Sequence, residues 1–524
     1  MSESDNRRQS TEGLTDELIK FYCSESLSES GLREIIERHE LTSNNNPDVD
    51  DYDFFHYACS IERISEAIIR LLLEYFPDAA NDTSELDWWT PLHTACENPN
   101  VTRGIIQLLI DAAPNSVRNV TKNNGEMPLH HLCGNKSIDQ AALVEITELL
   151  IERCPEAVRH VDDDGDLPIH IAAMMAKSPE LCQVLIEAYP GSERIANARE
   201  WLPLHNACYD KNIATVEYLY KLYPDAIFHA TTGGDYPIHL AINRTTRKMN
   251  PKGVEVVRFL LDSNPNVKLQ KHRGKSLLRY ACQQNYNDSN IDDGIEIVKI
   301  IYDAHPEAIE DNSIASNIQH YHQQVQSFVR NELVYARQAK DHRLMMTPDD
   351  SGQLPLHTAL QNNVRIGSIK LLVKGNPSAI RNVDTNFAMP LHLACEHHNS
   401  ASVVQYLLDL DRRTLRAVDI DNNSALHYAC HGAKYDAIAL LLEKYDAASV
   451  SKRNATGKIP IDLLWESTAV AVGDRESVGY TESVYRLLKA YPETVLNYND
   501  EMNSHSTQDD CSAQNVKKRK LGAV

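Results

Sequence analysis

The chain has 524 residues, of which 42% are hydrophobic and 24% charged, with a formal net charge of −22; such a length exceeds one ordinary core and implies several domains or a repeat array. The negative charge repels phosphate backbones and no strong basic face is visible in the body, which disfavours direct nucleic-acid binding. No stretch reaches membrane-spanning length, the start MSESDNRRQS lacks the apolar core of a signal peptide, and 11 cysteines over this length do not form a disulfide scaffold. The expectation is an intracellular, reducing location.

Residues 1–49 read as a polar segment with a helical cap over Leu14–His39. From residue 50 one phrase keeps returning: DFFHYAC (Asp53–Cys59), TPLHTAC (Thr90–Cys96), MPLHHLC (Met127–Cys133), LPIHIAA (Leu167–Ala173), LPLHNAC (Leu202–Cys208), YPIHLAI (Tyr236–Ile242) and SLLRYAC (Ser276–Cys282). It resumes as LPLHTAL (Leu354–Leu360), MPLHLAC (Met389–Cys395), SALHYAC (Ser424–Cys430) and IPIDLLW (Ile459–Trp465). The histidine position recurs every 34 to 40 residues, apart from one gap of 78. A second phrase follows each first one, as in IIQLLIDAAP (Ile105–Pro114) and VEYLYKLYP (Val216–Pro224), with apolar residues at i, i+3 and i+4 and a proline that ends the helix. Polar residues with turn signals come next, such as VDDDGDL (Val161–Leu167). Each repeat therefore predicts a helix, a turn, a longer helix and a finger-like loop.

The two-part phrase resembles the ankyrin repeat, and the resemblance covers roughly residues 50–497. It implies an all-α solenoid of about eleven helix-turn-helix repeats with finger loops. It also implies an opening Thr that helps to fix the histidine by a hydrogen bond. Only Thr90 keeps that residue here, which leaves the histidine partners open.

The chain order gives an array of about seven repeats over residues 50–311 and, inside the long gap, a helical insertion or degenerate repeat over 312–346. In the insertion Ile314, Ile318, Tyr321, Val325, Phe328 and Leu333 trace one helical face. About four repeats and a capping helix (Val484–Pro492) occupy 347–498, and residues 499–524 form a polar tail expected to be disordered.

Chemistry finds no footing in this pattern. One histidine per repeat places equivalent rings about 10 Å apart, too far for a triad or a zinc site. Cys59, Cys96, Cys133, Cys208, Cys282, Cys395 and Cys430 share one position that Ala, Leu or Ile fill elsewhere, which marks a packing slot. The acidic finger Asp162–Asp166 lacks the spacing and closing Glu of a calcium loop. The expectation is a monomeric, non-enzymatic scaffold or adaptor without metal or cofactor, binding one or more partner proteins through its fingers and first helices. The residue two before the PLH proline is expected to be exposed and to carry that contact, through Trp89, Trp201, Asp166 and Asp235, the alternative being that each Trp packs onto a neighbouring finger as a spacer. An alternative role, nuclear regulatory cofactor, follows from the basic run Lys517, Lys518, Arg519 and Lys520, which resembles a short nuclear import signal.

Overall fold

A computed structural model describes residues 3–24, 27–39, 52–84, 87–175, 179–243, 253–287, 290–398, 400–445, 447–467 and 477–490. The described chain is all-α apart from one short hairpin, and it divides into two compact units at 297/298.

Apart from the first, Asp53–Ser60, the repeats open on a short helix whose start is fixed by chemistry internal to the phrase. The proline sits at the first helical position, where its missing N–H costs nothing. Two residues on, the histidine turns its Nδ1 back to accept the backbone N–H that precedes the proline: from Thr90 to His93 (3.1 Å), Met127 to His130 (3.2 Å), Leu202 to His205 (3.0 Å) and Met389 to His392 (3.0 Å). The donor is main-chain, so the missing threonine does not matter; the hydroxyls of Thr90 and Ser424 add a second contact of 2.8 Å each. Asp462 does the same work with a carboxylate, accepting from Ile459 N–H at 2.9 Å.

Because Nδ1 accepts, the ring proton resides on Nε2, which donates to a carbonyl one repeat further on. His93 reaches Glu126 (3.3 Å), His130 reaches Asp166 (3.3 Å), His205 reaches His229 (3.1 Å) and His392 reaches Ala417 (3.2 Å). Between these ties lies an apolar core. The shared cysteines are buried and unpaired, as a packing slot requires. Second helices such as Arg103–Ala112 bury Ile105, Ile106, Leu109 and Ile110. The proline after most second helices does more than stop them. It opens a short 3-10 turn, as in Pro77–Asn81, Pro155–Arg159 and Pro224–Phe228, whose Ala79, Ala157 and Ala226 are buried.

In the N-terminal unit, helices Glu3–Cys23 and Glu29–Arg38 precede the first repeat and bury Leu18, Tyr22, Leu32 and Ile36. In the C-terminal unit, residues 312–346 do not form one continuous helical face. They make helices Asn312–Ser316, Gln323–Lys340 and His342–Met346, with a 3-10 turn at Ile318–His320. Ile314, Tyr321, Val325 and Phe328 are buried, whereas Ile318 and Leu333 are only half-buried because the chain turns between the helices. The long helix packs on Ile366–Gly375, which draws this segment into the C-terminal unit. A Cβ on Gly375 would stand 2.5 Å from the Ala339 carbonyl oxygen, so the contact requires glycine there. Helix Val478–Ala490 buries Val484 and Leu487; residues 491–524 lie outside the described ones.

Burial pushes these histidines down, to about 3 for His93, His130, His205 and His239 and to about 4 for His170 and His427. An unfolded histidine titrates near 6.5. The stabilisation is therefore complete above that pH and is lost as pH falls towards the folded values, because the unfolded chain takes up the protons first. Stability, and the melting temperature with it, should fall between pH 6.5 and 5, the free energy of unfolding by roughly 1–2 kcal/mol per histidine at the lower pH. Asp166, raised to about 6 chiefly by burial, opposes this, as do Asp162 and Glu332, whose carboxyls burial also raises. Thermal melts in that window check it; a flat profile would show that the rings carry no such linkage.

Candidate protein-interaction surface

Apart from the Lys271–Ser276 hairpin, the fingers are braced turns. A Ser, Thr, Asn or Asp at the start of each accepts backbone N–H groups further along the loop. Asp162 Oδ1 takes those of Asp164 (3.0 Å) and Asp166 (2.7 Å), Asp419 those of Asp421 (3.0 Å) and Asn423 (2.7 Å), and Thr121 Oγ1 that of Glu126 (3.0 Å). The turn then requires a left-handed residue three before the phrase proline. Gly125, Gly165, Gly234, Gly352 and Gly457 supply it at φ between 66° and 81°. Trp88 (φ 56°), Glu200 (58°), Phe387 (59°) and Asn422 (62°) occupy the same column without that freedom.

This left-handed residue moves the outward position by one. The slot two before the proline, expected to be exposed, is half-buried at Trp89, Glu126, Asp166, Trp201, Asp235 and Gln353 and fully buried at Ala388. Its side chains lie against neighbouring residues. Trp89 meets His131 edge-on (4.5 Å between centroids), and Trp201 meets Tyr209 (5.7 Å). Asp166 accepts from Asn197 Nδ2 at 2.7 Å, and Asp235 lies 2.9 Å from His272 Nδ1. The four residues are spread over the fingers of the N-terminal unit and do not converge on one point. Exposure belongs instead to the preceding residue: Trp88 is 52% and Phe387 56% exposed. Lys122 Nζ stands 5.5 Å above the Trp88 ring. The signal was present in the sequence as an aromatic where most fingers place glycine.

In the C-terminal unit, the finger of Phe387 adjoins that of Ile420, 62% exposed, whose N–H donates to the Asn386 carbonyl at 2.9 Å. Behind them a groove of about 440 Å³ is lined by Asn386, Glu396, Asp419, Ile420, Tyr428 and His431, among others. Its polar groups are held in place: Tyr428 Oη donates to Asp419 Oδ2 (2.8 Å), and His431 Nδ1 lies 2.7 Å from Glu396 Oε1. The Tyr428 ring stacks on His392 (5.0 Å), and its phenol is pushed up by burial and by Asp419. The groove thus has a floor fixed by internal hydrogen bonds, Ile420 and Leu463 as apolar lining and a wall with Glu396, Asp419 and Asp421.

Among the described residues no group of three or more His, Cys, Asp or Glu could hold a metal ion, and no helix is long and apolar enough to cross a membrane. The Cys96, Cys208, Cys395 and Cys430 thiols are pushed up by burial, away from the reactive thiolate.

A family model described as ankyrin repeats, three copies, matches residues 137–231 and 356–454, two stretches in which this helix, helix and finger geometry recurs. The chain carries ankyrin repeats over these stretches. The crystal structure of the human ASB11 ankyrin repeat domain is similar at 22% identity, covering 46% of this chain and 96% of that one, with a TM-score of 0.35, a likeness that carries no part of the assignment. No curated protein matches the chain. Ankyrin repeats are protein-interaction modules.

The adjacent tryptophans should separate cleanly in stability. Trp89→Ala removes a ring packed on His131 and should lower stability by about 2 kcal/mol or less. Trp88→Gly relieves a left-handed tryptophan and should leave stability unchanged or raise it by about 1 kcal/mol. Chemical denaturation of both variants measures the difference.

Proposed function

We propose that this chain is a non-enzymatic adaptor or scaffold that grips partner proteins through its ankyrin fingers. The observation that carries the reading is the pair Trp88 and Phe387. At a position glycine suits, the chain keeps bulky aromatics, each more than half exposed, in a backbone region that costs such residues about 1–2 kcal/mol. Exposed aromatics on a rigid loop are the residue type that anchors interfaces. The half-buried Trp201 and Trp89, with Asp166 and Asp235, form the ledge beneath the tips and take part through their exposed edges.

The double variant Trp88→Gly/Phe387→Gly should keep or raise the melting temperature while losing the proteins that the wild-type chain captures. Retention of every captured protein, quantified by mass spectrometry against wild type, would overturn the assignment of binding to the tips.

A second reading rests on the basic run Lys517, Lys518, Arg519 and Lys520, which lies outside the described residues. We propose it as an import signal that brings the adaptor into the nucleus to act as a regulatory cofactor. A fluorescent fusion of the full chain should concentrate in nuclei, and replacement of all four residues by alanine should return it to the cytoplasm. Identical distributions would remove the nuclear reading.

A further inference from the structure

The body does contain a basic cluster, contrary to the reading of its charge. The stretch Lys268–Arg279 holds Lys268, Lys271, Arg273, Lys275 and Arg279 and no acid, within a chain of net charge −22. Among the described residues none of the five forms an ion pair, whereas His272 Nδ1 lies 2.9 Å from Asp235. The other cation-rich finger differs. There Lys458 is held by Glu466, whereas Arg273 Nε reaches only the Gly233 carbonyl, at 3.5 Å.

The local backbone makes this charge rigid. Strands β1 (Lys271–His272) and β2 (Lys275–Ser276) pair antiparallel, with Lys271 opposite Ser276 and His272 opposite Lys275. The connecting residues Arg273 (φ 48°) and Gly274 (φ 78°) are both left-handed, as a tight two-residue hairpin demands. Arg279 stands where most repeats have histidine. Its helix is capped by Ser276 Oγ, which accepts the Arg279 N–H at 3.4 Å, so the guanidinium has no capping task and its Nε is buried without an acceptor. Beside the hairpin Leu269 is 54% exposed, and Phe228, the equivalent residue one repeat earlier, 40%. Gln270 Nε2 donates to the Ile227 carbonyl at 2.7 Å and ties these two turns together.

We propose that the hairpin Lys271–Ser276 with Leu269 and Phe228 docks an extended, Asp/Glu-rich segment of a partner protein that carries an apolar residue. Carboxylates pair with Lys271, Arg273 and Lys275, and the apolar residue lies on Leu269 and Phe228. A nucleic acid fits less well. Its backbone would run on past Asp235 and the Asp162–Asp166 finger of the same unit, and it has no use for an apolar ledge. A second copy of the chain brings a further −22 and is repelled. This inference names a partner chemistry for one finger and rests on the proposed adaptor role, but not on Trp88 or Phe387.

Fluorescence anisotropy on the full chain tests it, with a labelled Asp/Glu-rich peptide bearing a central leucine and a single-stranded oligonucleotide of equal charge. The peptide should bind wild type with an affinity that falls as salt rises. Binding should weaken at least about tenfold in Lys271→Glu/Arg273→Glu/Lys275→Glu, and by a smaller factor in the neutral Lys271→Gln/Arg273→Gln/Lys275→Gln, which guards against misfolding of the reversed variant. Trp88→Gly/Phe387→Gly should bind the peptide like wild type. Equal peptide binding by wild type and both hairpin variants overturns the inference, as does tighter binding of the oligonucleotide or a change in self-association on sedimentation. If the peptide fails on wild type while Trp88→Gly/Phe387→Gly still abolishes partner capture, the inference falls and the adaptor reading stands.

Discussion

A neutral histidine with two opposite hydrogen bonds is the constraint on which this molecule depends. Nδ1 must accept for the first helix to start at its proline, and Nε2 must donate for that helix to hold the next finger, as His205 does between Leu202 and His229. Neither a cation nor the other tautomer can do both. Burial enforces the neutral state by making the charged ring costly. The side chain that looks most like a catalytic group is thereby committed to structure. Its work is local, so it can be repeated down the chain at the cost of only one residue per repeat.

Departures from the repeat mark where the tie is altered. His239 is fully buried, but its Nε2 has no hydrogen-bond partner; it packs edge-on against Tyr280 at 4.9 Å. The following repeat carries Arg279 in place of histidine and the only hairpin among the described residues. The regular tie and the basic finger thus exclude one another at the same place. In the C-terminal unit Glu332 is buried on the long helix, accepting from Ser368 Oγ, which also meets Tyr302 Oη at 2.7 Å. A buried carboxylate persists because hydroxyls satisfy it, and the cost is repaid in a fixed register between that helix and Ile366–Gly375.

The fingers separate support from recognition within a few residues. The brace at the loop start and the left-handed residue before the ledge are set by backbone geometry and tolerate little change. The side chain at the left-handed position points away from that geometry and is free to vary from glycine to tryptophan. Rigid loops on a repeated scaffold lose little entropy on binding, so a few aromatics or cations suffice to define a contact.

The sequence by itself determined the repeat, its period, its helices and the burial of His93, Cys96 and their equivalents, because all of these are carried by short-range pattern and by one phrase copied many times. It showed the break over residues 312–346 but not its form, since a helical face read along a line cannot reveal that the chain turns at Ile318–His320. Which finger residue faces outward was decided only by the tertiary structure. One left-handed backbone step turned Trp89 onto His131 and left Trp88 at the tip. The charge of the body was likewise averaged away in composition. Lys271, Arg273 and Lys275 became one basic hairpin only when the two strands paired, with Lys271 and Lys275 on its opposite sides and Asp235 turned to His272.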